Sequence, residues 1–343
     1  MNIVKSGSDF KVFKDITILS DFPVGYYELD WNIFGDVYLK SSSELIIPPK
    51  LYDVGDEVMI KQVLKSFTEG NRNVGVSLTG YKGQGKTVTA KRIAISCKLP
   101  VIKITKLVPK RVDFISFLAS IEQDICMYID EFEKIFSSKM DKDSEYHDQT
   151  SFLQLMDGNM TNKYKKLFIL TSNDGINEYL ENRPSRVRYN KRYNYIDQRT
   201  FDMIVDDKLL YKEHEEDLRK NLSLIDCTID MLITIIEEIN NHNVPYSAFK
   251  PFFNHKPRKI SYSRSIREAD GSWKYIDSIK IDYLLDRSVH YINHERIFDI
   301  IEASDTEFTY TVKEDKYDKD DEFIGTTTKM YRLTQAIDTS LTL

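Results

Sequence analysis

The chain has 343 residues, 41% of them apolar and 30% charged, an ordinary balance for a folded protein of two or three domains with ample length for a core. A net charge of −6 argues against coating nucleic acid by charge alone. Three scattered cysteines (Cys97, Cys126, Cys227) and six histidines without paired spacing speak against a disulfide scaffold or zinc, and no apolar run reaches membrane-spanning length, so the expectation is a cytoplasmic protein with no membrane partner.

Residues 1–47 read as a small β-rich N-terminal domain. Segments 10–13, 15–19 and 37–39 alternate as strands do, and Pro23, Gly25 and Gly35 mark turns. Pro48 and Pro49 close this piece, and an α/β core is expected over 48–195. Residues 51–67 carry the apolar spacing of an amphipathic helix (Val54, Val58, Ile60, Val63, Leu64, Phe67), with Leu51 and Tyr52 as weak candidates for lining a base pocket.

Val74, Val76 and Leu78 then alternate ahead of Gly80-Tyr81-Lys82-Gly83-Gln84-Gly85-Lys86-Thr87, which satisfies G-x-x-x-x-G-K-[ST]. Gly80, Gly83 and Gly85 permit turns closed to residues with a Cβ, so successive N–H groups can converge on phosphate oxygens. Lys86 supplies a mobile charge for β- and γ-phosphates, and the Thr87 hydroxyl can ligate Mg²⁺. With Val88, these nine residues are the candidate ATP-binding set. Residues 87–96 read as a helix whose N-terminus meets the phosphates.

A strand is expected at 101–104, a loop at 105–111 and a helix at 112–122. Residues 125–129 read as a buried strand that ends in Asp130-Glu131, where a doubly wound sheet places its ligand site. The first acid suits Mg²⁺ and its water shell, the second the attacking water. An Asp-Glu pair after a strand also serves as a helix cap with a first-turn acid, the plainer use. A polar loop at 137–150, a helix at 151–158 ended by Gly158, and an apolar strand at 166–170 followed by Thr171-Ser172-Asn173 come next. Asn173 is placed to hold the lytic water or sense the γ-phosphate, or to make a plain turn. Arg183, Arg186, Arg188, Lys191 and Arg192 form a cationic cluster, readable as an arginine finger for a neighbouring subunit or as a solvated or DNA-facing patch.

With these motifs in this order, residues 45–250 resemble the AAA+ ATPases. The resemblance implies an αβα core around a parallel five-stranded sheet, a small helical lid, ATP held between subunits, and homo-oligomeric rings, commonly hexamers. It makes Gly80 to Thr87 Walker A, Asp130-Glu131 Walker B, Asn173 sensor 1, and Arg183 and Arg186 the finger pair. The composition is similar to that of AAA+ proteins encoded by tailed phages. Two departures stand out. The loop 105–110 has no aromatic for threading a substrate, leaving Leu107 and Val108 as substitutes, and the lid lacks a clear sensor-2 arginine, leaving Lys250 and Arg258 as weak ones.

The lid is expected over 196–254, with helices at 197–208 and 223–240, the second opening on a Ser223-x-x-Asp226 capping signature. A β-rich C-terminal domain over 255–343 follows from alternation at 259–266, 273–279, 308–312 and 329–333, a hairpin signal at Asp270-Gly271, and an acidic loop at 313–322. The expected function is ATP hydrolysis driving the remodelling of a macromolecular client, a protein in the first place. The alternatives are a DNA-transaction ATPase, such as a loader or packaging accessory, and a nucleotide-gated scaffold with little turnover.

Overall fold

The computed structural model describes residues 2–6, 8–52, 55–136, 144–157, 163–173, 180, 183–222, 227–255, 260–281, 289–292, 294–304, 307–317 and 322–335. The chain divides into two units, Met1–Asn194 and Tyr195–Leu343.

In the first unit, β1 (Asn2–Ser6) and β2 (Asp9–Phe13) make a two-stranded antiparallel ribbon. A seven-stranded sheet comprises β3 (Tyr26–Trp31), β4 (Val37–Ser41), β5 (Val74–Gly80), β6 (Val101–Lys103), β7 (Ile125–Ile129), β8 (Lys166–Ser172) and β9 (Tyr189–Tyr193). Its order is β4-β3-β6-β7-β8-β5-β9, parallel throughout except for the β3–β4 edge. Strands β5, β7 and β8 are near-continuously apolar because both faces are covered. Along β7, Cys126 and Tyr128 enter one core with Ile60, Val63 and Ile93, while Ile125, Met127 and Ile129 enter the other with Phe114, Phe132 and Phe152. The first core lies under α1 (Asp56–Glu69) and α2 (Lys86–Ser96). The second lies under α3 (Phe114–Ala119), α4 (Phe132–Ile135) and α5 (Gln149–Met156). This is the expected αβα architecture around a parallel sheet.

Several local expectations are corrected. The sheet has two strands beyond the expected five, both from residues assigned to a separate N-terminal domain. Tyr26 pairs with Val101 in a parallel register, and Leu29 is fully buried in the core, so no boundary at 47 separates this segment. Residues 15–19 form no strand; Ile16, Ile18 and Leu19 are exposed and no neighbouring strand pairs with them. Helix α1 begins at Asp56, after Gly55 in the left-handed region at φ 81°, so Leu51 and Tyr52 precede it and Val58 faces solvent. The helix expected at 112–122 contracts to α3, which Asp113 starts by accepting the Ser116 N–H at 3.0 Å. In β5, Gly75 is required by close packing: a Cβ there would lie 1.9 Å from the Arg186 carbonyl oxygen.

The second unit holds α6 (Gln198–Lys208), α7 (Glu215–Leu222), α8 (Ile229–His242) and α9 (Tyr246–Phe249). Asp197 caps α6, and α8 starts on Thr228 and buries Leu232, Ile235, Ile236 and Ile239. The Ser223–Asp226 signature, Gly158, Arg258 and the first half (137–143) of the loop expected at 137–150 lie outside the described residues. A five-stranded antiparallel sheet follows, ordered β11-β10-β16-β15-β14 from β10 (Ile260–Arg267), β11 (Trp273–Ile281), β14 (Asp299–Ala303), β15 (Glu307–Tyr317) and β16 (Phe323–Gln335). A two-residue ribbon, β12 (Tyr291–Ile292) with β13 (Glu295–Arg296), sits in the same unit. Gly271 turns the β10–β11 hairpin at φ 83°. Residues 313–317 continue β15 instead of looping out, because Lys313 pairs with Thr328 and Glu314 meets Lys329 at 2.6 Å across the ladder. Among the described residues, no helix is long and apolar enough to cross a membrane.

Candidate nucleotide site

Strand β5 ends at Gly80 and α2 starts at Lys86, so the glycine loop joins a buried strand directly to a helix. Gly80, Gly83 and Gly85 have φ of 119°, 74° and 86°, conformations that a Cβ disfavours. Gly80 is constrained twice over, since a Cβ would also lie 2.0 Å from the Tyr193 carbonyl oxygen on β9. Tyr81 and Lys82 are exposed, Gln84 is buried and Val88 half-buried. The Lys86 ammonium donates to the carbonyls of Gly80 at 2.7 Å and Tyr81 at 2.6 Å, which closes the loop on itself. Burial pushes its pKa down, and the carboxylates of Glu133, Asp130 and Glu131 oppose that shift.

Three neighbouring strand ends converge here. The hydroxyls of Thr87 and Thr171 both donate to Asp130 Oδ1, at 3.0 and 2.5 Å. Thr171 also accepts the Glu131 N–H at 2.9 Å, pinning the end of β7 to the end of β8. Glu131 stands in the left-handed region at φ 53° and ψ 57°, a conformation that costs an L-residue about 1–2 kcal/mol. In an extended strand consecutive side chains face opposite ways; this turn lets Glu131 reach Asn173, whose Nδ2 donates to its Oε1 at 3.0 Å. Lys134 donates to the other oxygen at 2.5 Å, and Lys134 first, then Asn173, hold this carboxyl below the usual glutamate range.

Sequence reasoning missed two participants. Glu133 Oε1 accepts both the Asn173 backbone N–H at 3.1 Å and its Nδ2 at 3.0 Å, while Oε2 is buried without a partner. In the first turn of α4 an acid is ordinary, so no pattern marked it. Thr171 had a signal, as the first of three polar residues ending an apolar strand.

Arg183 and Arg186 do not join this cluster. The Arg188 N–H donates to the Gly75 carbonyl, and Tyr189 pairs with Val76, so the 183–186 turn lies at the start of β5. Gly80 is at the far end, about 16 Å away at strand rise. Arg186 is buried and forked onto Asp157, Nε to Oδ1 at 2.5 Å and Nη2 to Oδ2 at 2.6 Å. Its guanidinium is committed inside the chain, which corrects the expectation of a finger pair. Arg183 is exposed, and its carbonyl accepts the N–H groups of Arg186 and Val187 at 2.9 and 3.0 Å. Lys191 is likewise drawn out of the cationic cluster by Asp56 at 2.5 Å. In the loop after β6, Leu107 is exposed but Val108 is fully buried and cannot contact a client.

The ion pair yields a stability prediction. Asp157→Ala should cost about 2–3 kcal/mol, because it strands the Arg186 charge in a mostly dry site; urea denaturation reads the loss. Arg186 holds the Asp157 carboxyl below its ordinary value of 3.8. The pair's contribution is therefore complete above that pH and fades as pH falls through the lower folded value.

Residues 76–194 match the family described as "ATPase family associated with various cellular activities (AAA)". The chain carries an AAA domain. All the strand-end residues above lie inside this AAA segment, as do the Arg183 turn and β9. Among solved structures, the chain is similar to the Thermotoga maritima RuvB Holliday junction branch migration motor, with 17% identity and a TM-score of 0.39. That likeness covers 54% of this chain and 61% of the other, so less than two thirds of that protein is spanned. No curated protein matches the sequence.

Proposed function

We propose that this AAA ATPase hydrolyses ATP to ADP and phosphate at the β5–β7–β8 strand ends, as a homo-oligomeric ring in which each site is completed by the next copy. The observation that carries the reading is that Lys86 closes the glycine loop while, at the adjoining strand ends, Thr87 bonds Asp130 and Asn173 bonds Glu131. In this reading Gly80 to Val88 wrap the phosphates and Lys86 leaves its two carbonyls to neutralise them. Thr87 and Asp130 fit Mg²⁺, being adjacent oxygen donors of the kind that ion prefers. Bound there, it would screen phosphate charge. Glu131 takes the proton of the attacking water, and Asn173 holds that water in line.

In this reading the finger is Arg183 of the next copy, since Arg183 stands at the opposite end of β5 from its own glycine loop. This supports a shared site between copies and hence an oligomer. The proposed client is a protein, with exposed Leu107 a contact point on the loop after β6.

Lys86→Ala should weaken ATP binding by about 2–4 kcal/mol, roughly 30- to 1,000-fold in Kd, because it removes a partly buried cation from a polyanion. Fluorescent-nucleotide titration measures this, and sedimentation with a slowly hydrolysed ATP analogue measures assembly. A chain that binds ATP equally well without Lys86, or stays monomeric when saturated, would remove the proposal.

A further inference from the structure

At the end of the sheet away from the glycine loop, a cleft of about 260 Å³ opens between the starts of β5 and β8 and the end of α5. Asn71, Arg72, Asp157, Lys166 and Ser185 line it. Lys166 is only 3% exposed, its ammonium is closed to solvent, and among the described residues that ammonium has no hydrogen-bond partner. Its backbone is fixed by an N–H bond to Asn73 Oδ1 at 2.9 Å.

The neighbouring charges are spoken for. Lys165 turns away to donate to the carbonyls of Phe67 at 2.6 Å and Gly70 at 2.9 Å. Both Asp157 oxygens are taken by Arg186. Asp124, the acid whose field favours the charged form of Lys166, accepts the Lys165 N–H at 2.7 Å instead of the ammonium. Burial pushes the Lys166 pKa down. A buried ammonium without a counter-charge is costly to keep in an interior, and a ligand with negative oxygens relieves that cost.

We propose that this cleft binds a small oxyanion, a carboxylate or a phosphate, seated on the Lys166 ammonium. Arg72, exposed at the rim, adds a second cation, and the Ser185 hydroxyl adds a donor. Asp157 presents no net repulsion because Arg186 neutralises it. Ser185 belongs to the turn that bears Arg183. Binding in the cleft does not depend on ATP hydrolysis.

The test is calorimetric titration of the full chain, kept in saturating Mg·ADP so that the glycine loop is filled, with inorganic phosphate and separately with malonate. Saturable one-site binding is expected. Tighter phosphate binding assigns a phosphoryl ligand, and tighter malonate binding a carboxylate. Lys166→Met, whose apolar chain suits the burial, should weaken that binding about tenfold or more, and Arg72→Ala severalfold. Failure of both anions to saturate, or equal affinity in Lys166→Met, overturns the site.

Discussion

Arg183→Ala is expected to lower kcat for ATP by about 10³-fold or more while leaving nucleotide affinity close to the parent value. A guanidinium supplied to the transition state of phosphoryl transfer contributes on that scale, and its absence does not empty the ground-state phosphate cradle. The structure separates this residue from its neighbour. Arg186 is forked onto Asp157 in a buried pair, whereas Arg183 is exposed on the same turn. Arg186→Ala should therefore resemble Asp157→Ala, a loss of stability, and Arg183→Ala should not. Mixed oligomers give the decisive measurement. A Lys86→Ala copy holds ATP poorly but still offers Arg183, and an Arg183→Ala copy holds ATP but offers no finger. Together they should recover activity that neither shows alone. Full turnover by Arg183→Ala, or no recovery in mixtures that demonstrably co-assemble, would show that the cation comes from elsewhere or is not needed.

The second large effect is at Glu131. Glu131→Gln should reduce kcat by about 10²–10⁴-fold, the range for losing a positioned general base, with ATP still bound. Glutamine keeps the size and can still accept from Asn173, but it cannot take the proton of water. Lys134 and Asn173 hold the Glu131 carboxyl below its ordinary value of 4.5. A depressed value keeps the base ionised at neutral pH, so the acid limb of the kcat profile belongs below pH 4.5. Lys134→Ala, which deletes the larger of the two causes, should move that limb upward. Single-turnover measurements separate chemistry from product release. Undiminished single-turnover rates in Glu131→Gln would reassign the base, with Glu133 next in line because one of its oxygens is buried and unpartnered.

How far the site could be read in advance differs residue by residue. The glycine loop was fully legible because its chemistry is local: eight consecutive residues must carry both the permitted turns and the cation. Asp130 and Glu131 were legible as a pair, yet their arrangement was not, since it depends on a left-handed backbone at Glu131 that no residue type announces. Asn173 was legible as the polar end of an apolar strand. Glu133 was hidden because its role arises only where α4 passes the end of β8. The same limit explains the errors in the fold. Alternation identified 10–13, 37–39 and the C-terminal strands, but it also suggested 15–19, where no strand forms and no described strand pairs.

Sequence alone determined what is encoded by neighbours along the chain: a buried strand, a phosphate-type loop, a helix behind it, and two acids at the end of another apolar run. Tertiary structure decided what depends on pairs far apart in sequence. It set Tyr26–Trp31 beside Val101–Lys103, committed Arg186 to Asp157 while leaving Arg183 exposed, and left the Lys166 ammonium unpaired in a cleft. Periodicity and motif spacing report which face of an element is apolar and how its backbone can turn. Which distant group meets a given side chain, and whether a charge is spent or free, is settled only when the sheet order is assembled.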